Sequence, residues 1–308
     1  MELRDHLPGY PGAERIAIGM QGAVFRLGAG KIAKVWFHAG TAELRQLADF
    51  YAAVDAPSIR TPEILEVHDR TPYRVTVEAE LSGVPLYTVA PEFGTPEWVV
   101  ARDCVLDVLE ELADVRTTPT LAVLDEAEPF RAAGQSWPEA LAELTERRVD
   151  RFGEKLRAAI DDLDGKVERL LERVRELPDN ASGMIHGDVT AGNILVDADC
   201  RPTAVIDFGL MTMSGDPAYD AASAGTMYEL WSPQVREIEA AFDQAAVNRF
   251  GYDAEHLRIY RAVHLLLIAN AHDADPYERD DAVGLAAALF NLPAAGEGSR
   301  PRQVVRRG

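Results

Sequence analysis

Between Ile185 and Gly209 the chain places a carboxylate at Asp188, an amide five residues later at Asn193 and a second carboxylate fourteen residues further on at Asp207. These groups sit in Ile185-His186-Gly187-Asp188-Val189-Thr190-Ala191-Gly192-Asn193-Ile194-Leu195-Val196 and Val205-Ile206-Asp207-Phe208-Gly209. The apolar runs around them read as short buried strands. Phosphoryl transfer needs this set. One carboxylate, Asp188, receives or orients the proton of an attacking hydroxyl. An amide oxygen, from Asn193, and the other carboxylate, Asp207, hold Mg²⁺ on nucleotide phosphates. A lone H-x-D would read as a hairpin whose polar residues cap turns. Here the functional positions fall in register and Asp207 opens a D-F-G triplet after an apolar strand, which favours chemistry.

A phosphate grip must precede such a loop. Gly19-x-x-Gly22-x-Val24 lies between two expected strands, where glycines let backbone N–H groups approach phosphate. Alone it is a weak motif, equally fit for an ordinary hairpin. Lys34 is the stronger signal, because a lysine is unexpected in the apolar strand Lys31-Ile32-Ala33-Lys34-Val35-Trp36. Alternation puts Ile32, Lys34 and Trp36 on one face and Lys31, Ala33 and Val35 on the other. Ile32 would then cover an adenine and Lys34 reach the α/β-phosphates; the competing reading is an edge lysine that discourages aggregation. Such a lysine needs an orienting carboxylate, and Glu43, in the first turn of the next helix, is the candidate. It would also complement that helix's dipole. Gly28-Ala29-Gly30-Lys31 resembles part of a Walker loop but lacks its spacing and reads as a turn.

The elements that position these groups follow from periodicity and breakers. Strands are expected near Arg15–Ile18, Ala23–Leu27, Lys31–Trp36, Glu63–His68 and Arg74–Glu80, with a helix from Thr41, its expected N-cap, to about Val54. Ser82-Gly83-Val84-Pro85 breaks the pattern as a hinge. Beyond it the chain is mainly helical. Thr95-Pro96-Glu97 is a start signal for a helix to about Val115, and Ser136 begins another. One long charged helix is expected over 152–177, and others near 220–230, 233–250, 254–271 and 277–290. The fold class is therefore α+β and bilobal: a nucleotide-binding β lobe over 1–82, a helical catalytic and substrate lobe over 83–292, and a disordered tail over 293–308. The charged helix over 152–177 could support a dimer, with a monomer as the default.

Composition narrows the class. The chain has 308 residues, 47% of them hydrophobic, enough for a sizeable core. Its formal net charge of -20 argues against nucleic acid as a partner. The charged N-terminus lacks a secretory apolar segment, and no apolar run is long enough to span a bilayer, so a cytoplasmic protein away from membranes is expected. Cys104 and Cys200 form no metal-ligand pattern and read as inert reduced thiols.

On the motif His186-Gly187-Asp188-x-x-x-x-Asn193, on Asp207-Phe208-Gly209 and on Gly215-Asp216-Pro217-Ala218-Tyr219-Asp220, the chain resembles the aminoglycoside phosphotransferase family. That family is the small-molecule branch of the protein-kinase-like fold, with choline, homoserine and fructosamine kinases among its relatives. The resemblance runs from about Ile16 to Phe290. It implies an ATP- and Mg²⁺-dependent phosphotransferase, with GTP left open. Asp188 would be the base, Asn193 and Asp207 the metal ligands, and Gly19, Gly22 and Lys34 the phosphate grip. His186 would brace the loop, and Asp216 and Asp220 would be structural, with Asp220 able to approach the substrate cleft. Thr190-Ala191 departs from the family's frequent His-Pro. Only Leu210–Ser214 separate Gly209 from Gly215, and no A-P-E follows, so a small hydroxyl-bearing acceptor is favoured over a peptide. An acidic cluster with Asp273 and Glu278, paired with Glu229, could hold the ammonium groups of an aminoglycoside; a solvated loop is the simpler account. A metabolic sugar or amino-alcohol kinase and a nucleotide-binding regulator without catalysis are the alternatives.

Overall fold

The computed structural model describes residues 3–269 and Phe290, save Pro8, Met20, Pro57, Ala90, residues 118–120, Asp125, Ala127 and Trp231. Asp273 and Glu278, the helix expected over 277–290 apart from Phe290, and the tail over 293–308 lie outside the described residues. The chain divides into two compact units, Met1–Ala140 with Pro178–Arg261, and Leu141–Leu177 with Ala262–Gly308.

In the first unit, β1 (Glu14–Ile18), β2 (Gly22–Gly28), β3 (Lys31–Trp36), β4 (Ile64–Arg70) and β5 (Tyr73–Ala79) form an antiparallel sheet in the order β1-β2-β3-β5-β4. Period-two alternation sets its faces. Ala33 and Val35 of β3 join Ala23, Phe25 and Val75 in a core closed by Leu7 and Ala13. Lys34 points the other way, in register between Val24 and Thr76. The glycine-lysine hairpin over 28–31 is a turn, with Gly28, Ala29 and Gly30 all at positive φ.

Helix α1 (Thr41–Ala53) links β3 to β4 and buries Leu44, Leu47, Phe50 and Tyr51. Each of these leucines contributes roughly 1.5–3 kcal/mol by leaving water. Its N-cap is Gly40, one residue before the expected Thr41, and the Glu43 carboxylate reaches back to accept the Gly40 N–H at 3.1 Å. Further along, Phe50 and Tyr51 pack against Phe208, with ring centroids 5.7 and 5.9 Å apart. The sheet's helix is thereby anchored on the D-F-G segment.

Past Gly83, β6 (Val84–Pro85) pairs with a hairpin made later in the chain. Helix α2 (Pro96–Asp114) begins where the Thr95 hydroxyl accepts the Trp98 N–H at 3.2 Å. The helix expected over 152–177 is broken. Helix α3 (Trp137–Phe152) ends before Gly153, α4 (Glu154–Ala159) is one short segment, and α5 (Leu163–Arg175) restarts after Asp162 in the left-handed region at φ 51°. The apolar positions Leu156, Ile160, Leu163, Val167, Leu170, Leu171 and Val174 are all buried, so the periodicity reported the buried face and not the continuity.

Two short antiparallel strand pairs frame Asp188, Asn193 and Asp207. Strand β7 (Gly183–Ile185) pairs with β10 (Met213–Gly215), and β8 (Ile194–Val196) pairs with β9 (Pro202–Val205). Helices α6 (Ala218–Tyr228), α7 (Val235–Phe250) and α8 (Ala254–Ala269) follow. The two cysteines, distant in sequence, meet where α2 approaches the turn before β9. Burial pushes both thiols up, Cys104 to about 12, so neither is a ready nucleophile. No helix of the described residues is long and apolar enough to cross a membrane.

Candidate functional site

The loop from β7 to β8 carries Asp188 and Asn193, and the segment after β9 carries Asp207. Asp188 is held by Asn193, whose side-chain amide donates to Asp188 Oδ2 at 3.0 Å and to the Asp188 carbonyl at 2.9 Å. Both contacts use the nitrogen, which leaves the Asn193 side-chain oxygen able to face a cation. Burial, reinforced by the negative charge of Asp207, raises the Asp188 carboxyl to about 6; the Asn193 contact works the other way.

Asp207 adopts φ 67°, a left-handed conformation that a non-glycine residue holds only where its surroundings impose it. Its Oδ1 lies 2.6 Å from the Lys34 ammonium, and its side chain is 41% exposed, against 13% for Lys34. The structure therefore brings Lys34 from the sheet and Asp207 from the loop into one ion pair. Lys34 also lies 3.9 Å from the Trp36 ring centroid and donates to Gln21 Oε1 at 3.4 Å. Gln21 belongs to the glycine turn, which is closed by Gly19 N–H donating to the Gly22 carbonyl at 2.9 Å. A side chain at Gly22 would meet the Val35 carbonyl at 2.3 Å, so this turn lies against β3 only with glycine there.

Glu43 is not on Lys34. It is exposed and occupied with the start of α1, and the lysine's carboxylate partner is Asp207. Helix α1 presents its buried residues inward, and Glu43 in its first turn falls on the solvent side. A different acid lies on the Lys34 face: Glu78 of β5, buried and hydrogen-bonded by Thr76 at 2.5 Å. Neither Gln21 nor Glu78 was singled out from sequence. A buried acid in β5 is the same anomaly that marked Lys34 in β3.

His186 braces the loop. Its Nδ1 accepts the Asp188 N–H at 3.2 Å, so Nε2 carries the proton and donates to the Ile206 carbonyl at 3.0 Å. Burial lowers its pKa to about 4, which keeps the ring neutral and the tautomer fixed. Phe208 packs on it with centroids 4.3 Å apart. The imidazole thereby ties the Asp188 backbone to the strand leading into Asp207.

Asp220 is 2% exposed and belongs to this frame. Its Oδ2 accepts the His186 N–H at 2.7 Å and its Oδ1 the Gly187 N–H at 2.8 Å. It does not face an acceptor, and the expectation that it approaches the substrate cleft is corrected: both oxygens are spent beneath the loop. Asp216 caps α6 through the Ala218 N–H at 3.0 Å and accepts the Tyr260 hydroxyl at 2.9 Å. Gly215 lies flat on the Trp137 ring, where a Cβ would come within 2.3 Å of it. Glu229 ends α6 half-buried, and burial raises its carboxyl.

Gly187 sits between His186 and Asp188 at φ 79°, and a Cβ there would approach the Met211 Cβ to 2.3 Å. Gly187→Ala is expected to destabilise the chain by about 2–4 kcal/mol through left-handed strain plus overpacking. Urea denaturation of the variant against the parent measures this.

A glycine turn and lysine strand joined by an ion pair to a catalytic loop define a kinase-like phosphotransferase fold. The sequence profile of the phosphotransferase enzyme family matches residues 12–262, and the chain belongs to that family. Solved structures of the same fold include a thermostable mutant of aminoglycoside phosphotransferase APH(4)-Ia in a ternary complex with ADP and hygromycin B. It is 19% identical, with 96% of this chain and 98% of that one covered and a TM-score of 0.67. Aminoglycoside phosphotransferase APH(3'')-Id from Streptomyces rimosus, bound to ADP and streptomycin, is 19% identical over 85% of this chain and 94% of that one, with a TM-score of 0.55. Macrolide 2'-phosphotransferase MphH from Brachybacterium faecium is 20% identical over 92% of each chain, with a TM-score of 0.52. No curated protein sequence matches the chain.

Proposed function

We propose that this chain transfers the γ-phosphate of ATP to a hydroxyl of a small molecule, with an antibiotic as the leading acceptor class. The observation that carries the reading is the convergence of Lys34 on Asp207 at 2.6 Å beside an Asp188 oriented by Asn193 at 3.0 Å. Lys34 and the backbone of the Gly19–Gly22 turn would hold the phosphates. Asp188 would align the acceptor hydroxyl for in-line attack and take its proton at Oδ1, the oxygen that Asn193 leaves uncontacted.

Asn193 and Asp207 offer one amide oxygen and one carboxylate. Among the described residues no cluster of three or more His, Cys, Asp or Glu side chains could hold a metal alone. That sparse, hard-oxygen donor set fits Mg²⁺, which is commonly held by one or two carboxylates plus substrate phosphates. When bound, Mg²⁺ neutralises charge on the phosphates. The protein's share is to keep Asn193 and Asp207 in place, through Asp188 and Lys34 respectively.

The acceptor is proposed on three grounds. The segment from Gly209 to Gly215 runs straight into β10, with no platform for a peptide. The similar folds carry hygromycin B or streptomycin beside ADP, or bear the name of a macrolide phosphotransferase. The net charge of -20 suits a cationic acceptor, with half-buried Glu229 as a candidate contact. The test is ATP consumption with Mg²⁺ against aminoglycosides, macrolides, amino alcohols and sugars. Turnover confined to one class names the acceptor. Turnover on amino alcohols or sugars alone makes the chain a metabolic kinase, and ATP binding without turnover on any class leaves an acceptor outside the panel or a regulator.

The raised Asp188 carboxyl sets a pH dependence. The base works ionised, so kcat/KM should be full above about 6 and fall on acidification, tenfold per pH unit below that value. One cause of the elevation is the charge of Asp207, which a bound cation offsets. The limb in kcat should therefore lie at lower pH than the limb in kcat/KM for Mg²⁺·ATP, which reports the enzyme before the cation binds. Coincident limbs, or an alkaline one, would remove Asp188 as the titrating base.

A further inference from the structure

Lys34 lies among three groups on one face of the sheet. Its partner across β5 is Thr76, and Ile32 pairs with Glu78, which puts Glu78 one diagonal step from Lys34 on the same face. A relay of hydrogen bonds aims that acid. The Trp36 indole donates to the Thr76 hydroxyl at 3.0 Å, and that hydroxyl donates to Glu78 Oε1 at 2.5 Å. The Trp36 ring at the head of the relay is the one that Lys34 lies over. Glu78 is 7% exposed, yet among the described residues no cation lies within ion-pair distance of it. The charges that it feels are Lys34, which favours its ionised form, and Asp207, which opposes it. A buried carboxyl without a cation is costly unless something compensates it.

The lysine is thus paired with one acid, Asp207, the group that would bind a metal, and shares its sheet face with a second, Glu78. We propose that Glu78 is the positioning carboxylate of Lys34 in the nucleotide-loaded state. As Asp207 is drawn to a phosphate-bound cation, the Lys34 ammonium is handed to Glu78, which holds it at the phosphates from the strand side. The inference rests on the reading of Lys34 as a phosphate ligand. It assigns to a sheet residue the task expected of Glu43, and it explains why a buried acid and its donor relay sit on the Lys34 face of the sheet. Thr76 and Trp36 orient Glu78 toward this role, and the flexible four-carbon stem of Lys34 suits it to change partners.

Calorimetric titration of the full chain tests it. ATP with Mg²⁺, ATP with EDTA, and adenosine are each titrated into the parent, Glu78→Gln, Lys34→Met and the double variant. Glu78→Gln should weaken Mg²⁺·ATP about tenfold, within the coupling range of interacting residues. It should have little effect on ATP in EDTA, where Asp207 still holds the lysine, and none on adenosine, which has no phosphate. In the Lys34→Met background Glu78→Gln should add nothing. Equal losses with Mg²⁺ and EDTA, a loss for adenosine, or the same loss in both lysine backgrounds would overturn the handover while leaving the phosphotransferase reading intact. No binding of Mg²⁺·ATP by the parent would overturn both. The isosteric Gln retains the Thr76 contact, and a variant with the parent's melting temperature counts as folded.

Discussion

Asp188→Ala is expected to lower turnover by roughly 10²–10⁴-fold, the usual contribution of a positioned general base. Affinity for Mg²⁺·ATP should stay close to the parent's, because Asn193 keeps its bond to the Asp188 main-chain carbonyl and Lys34 keeps its bond to Asp207. Asp188→Asn is the sharper variant. It preserves volume and can still accept from Asn193, but it cannot take a proton, so it should be nearly as slow as alanine. Asp207→Ala should differ in kind. It removes both the proposed cation ligand and the 2.6 Å partner of Lys34, so nucleotide affinity and turnover should fall together. Steady-state kinetics on the acceptor found by the panel, with nucleotide affinity measured by titration, separates the two patterns. Near-normal turnover by Asp188→Asn would remove Asp188 from the chemistry. Loss of nucleotide affinity in Asp188→Ala would make it part of the binding frame instead.

Legibility in the sequence follows the range of the interactions. Local periodicity located β3 to the residue, and its alternation correctly separated Ala33 and Val35 from Lys34. The Thr95 cap was legible because a cap is a contact between near neighbours. The partner of Lys34 was not, because Asp207 lies 173 residues away and only the folded sheet brings them together. Proximity in sequence favoured Glu43, whose own helix claims it. The break after Phe152 was hidden for a related reason. Apolar spacing records which side of a segment is buried, and it passes unchanged through Gly153 and the left-handed Asp162. The G-D-P-x-x-D pattern was visible as a motif, but its meaning depends on three-dimensional placement. Gly215 fits the Trp137 ring, Asp216 caps α6, and Asp220 falls one turn further on, under the loop.

That placement makes Asp220 the site of the second large effect. Asp220→Ala strips the side-chain acceptor from the His186 and Gly187 N–H groups, both buried. Each charge-assisted bond contributes about 1.5–3 kcal/mol, and an unsatisfied buried donor adds its desolvation cost, so a loss of about 3–5 kcal/mol is expected. Much of the stability of an ordinary domain is of that size, and the variant should unfold well below the parent's temperature. Asp220→Asn tests the geometry at lower cost. One oxygen can still accept, but the amide NH₂ must face the other N–H, so one bond becomes a donor–donor clash. The loop should loosen while the fold survives. Because the same backbone carries Asp188, turnover should fall in Asp220→Asn although Asp220 touches neither acceptor nor nucleotide. Amide exchange at His186 and Gly187 should accelerate ahead of exchange in the sheet, since those donors lose or share their acceptor. A stable Asp220→Asn with unchanged exchange and unchanged kcat would mean that His186, through Ile206, holds the loop without help. The clamp beneath it would then serve only to seat α6.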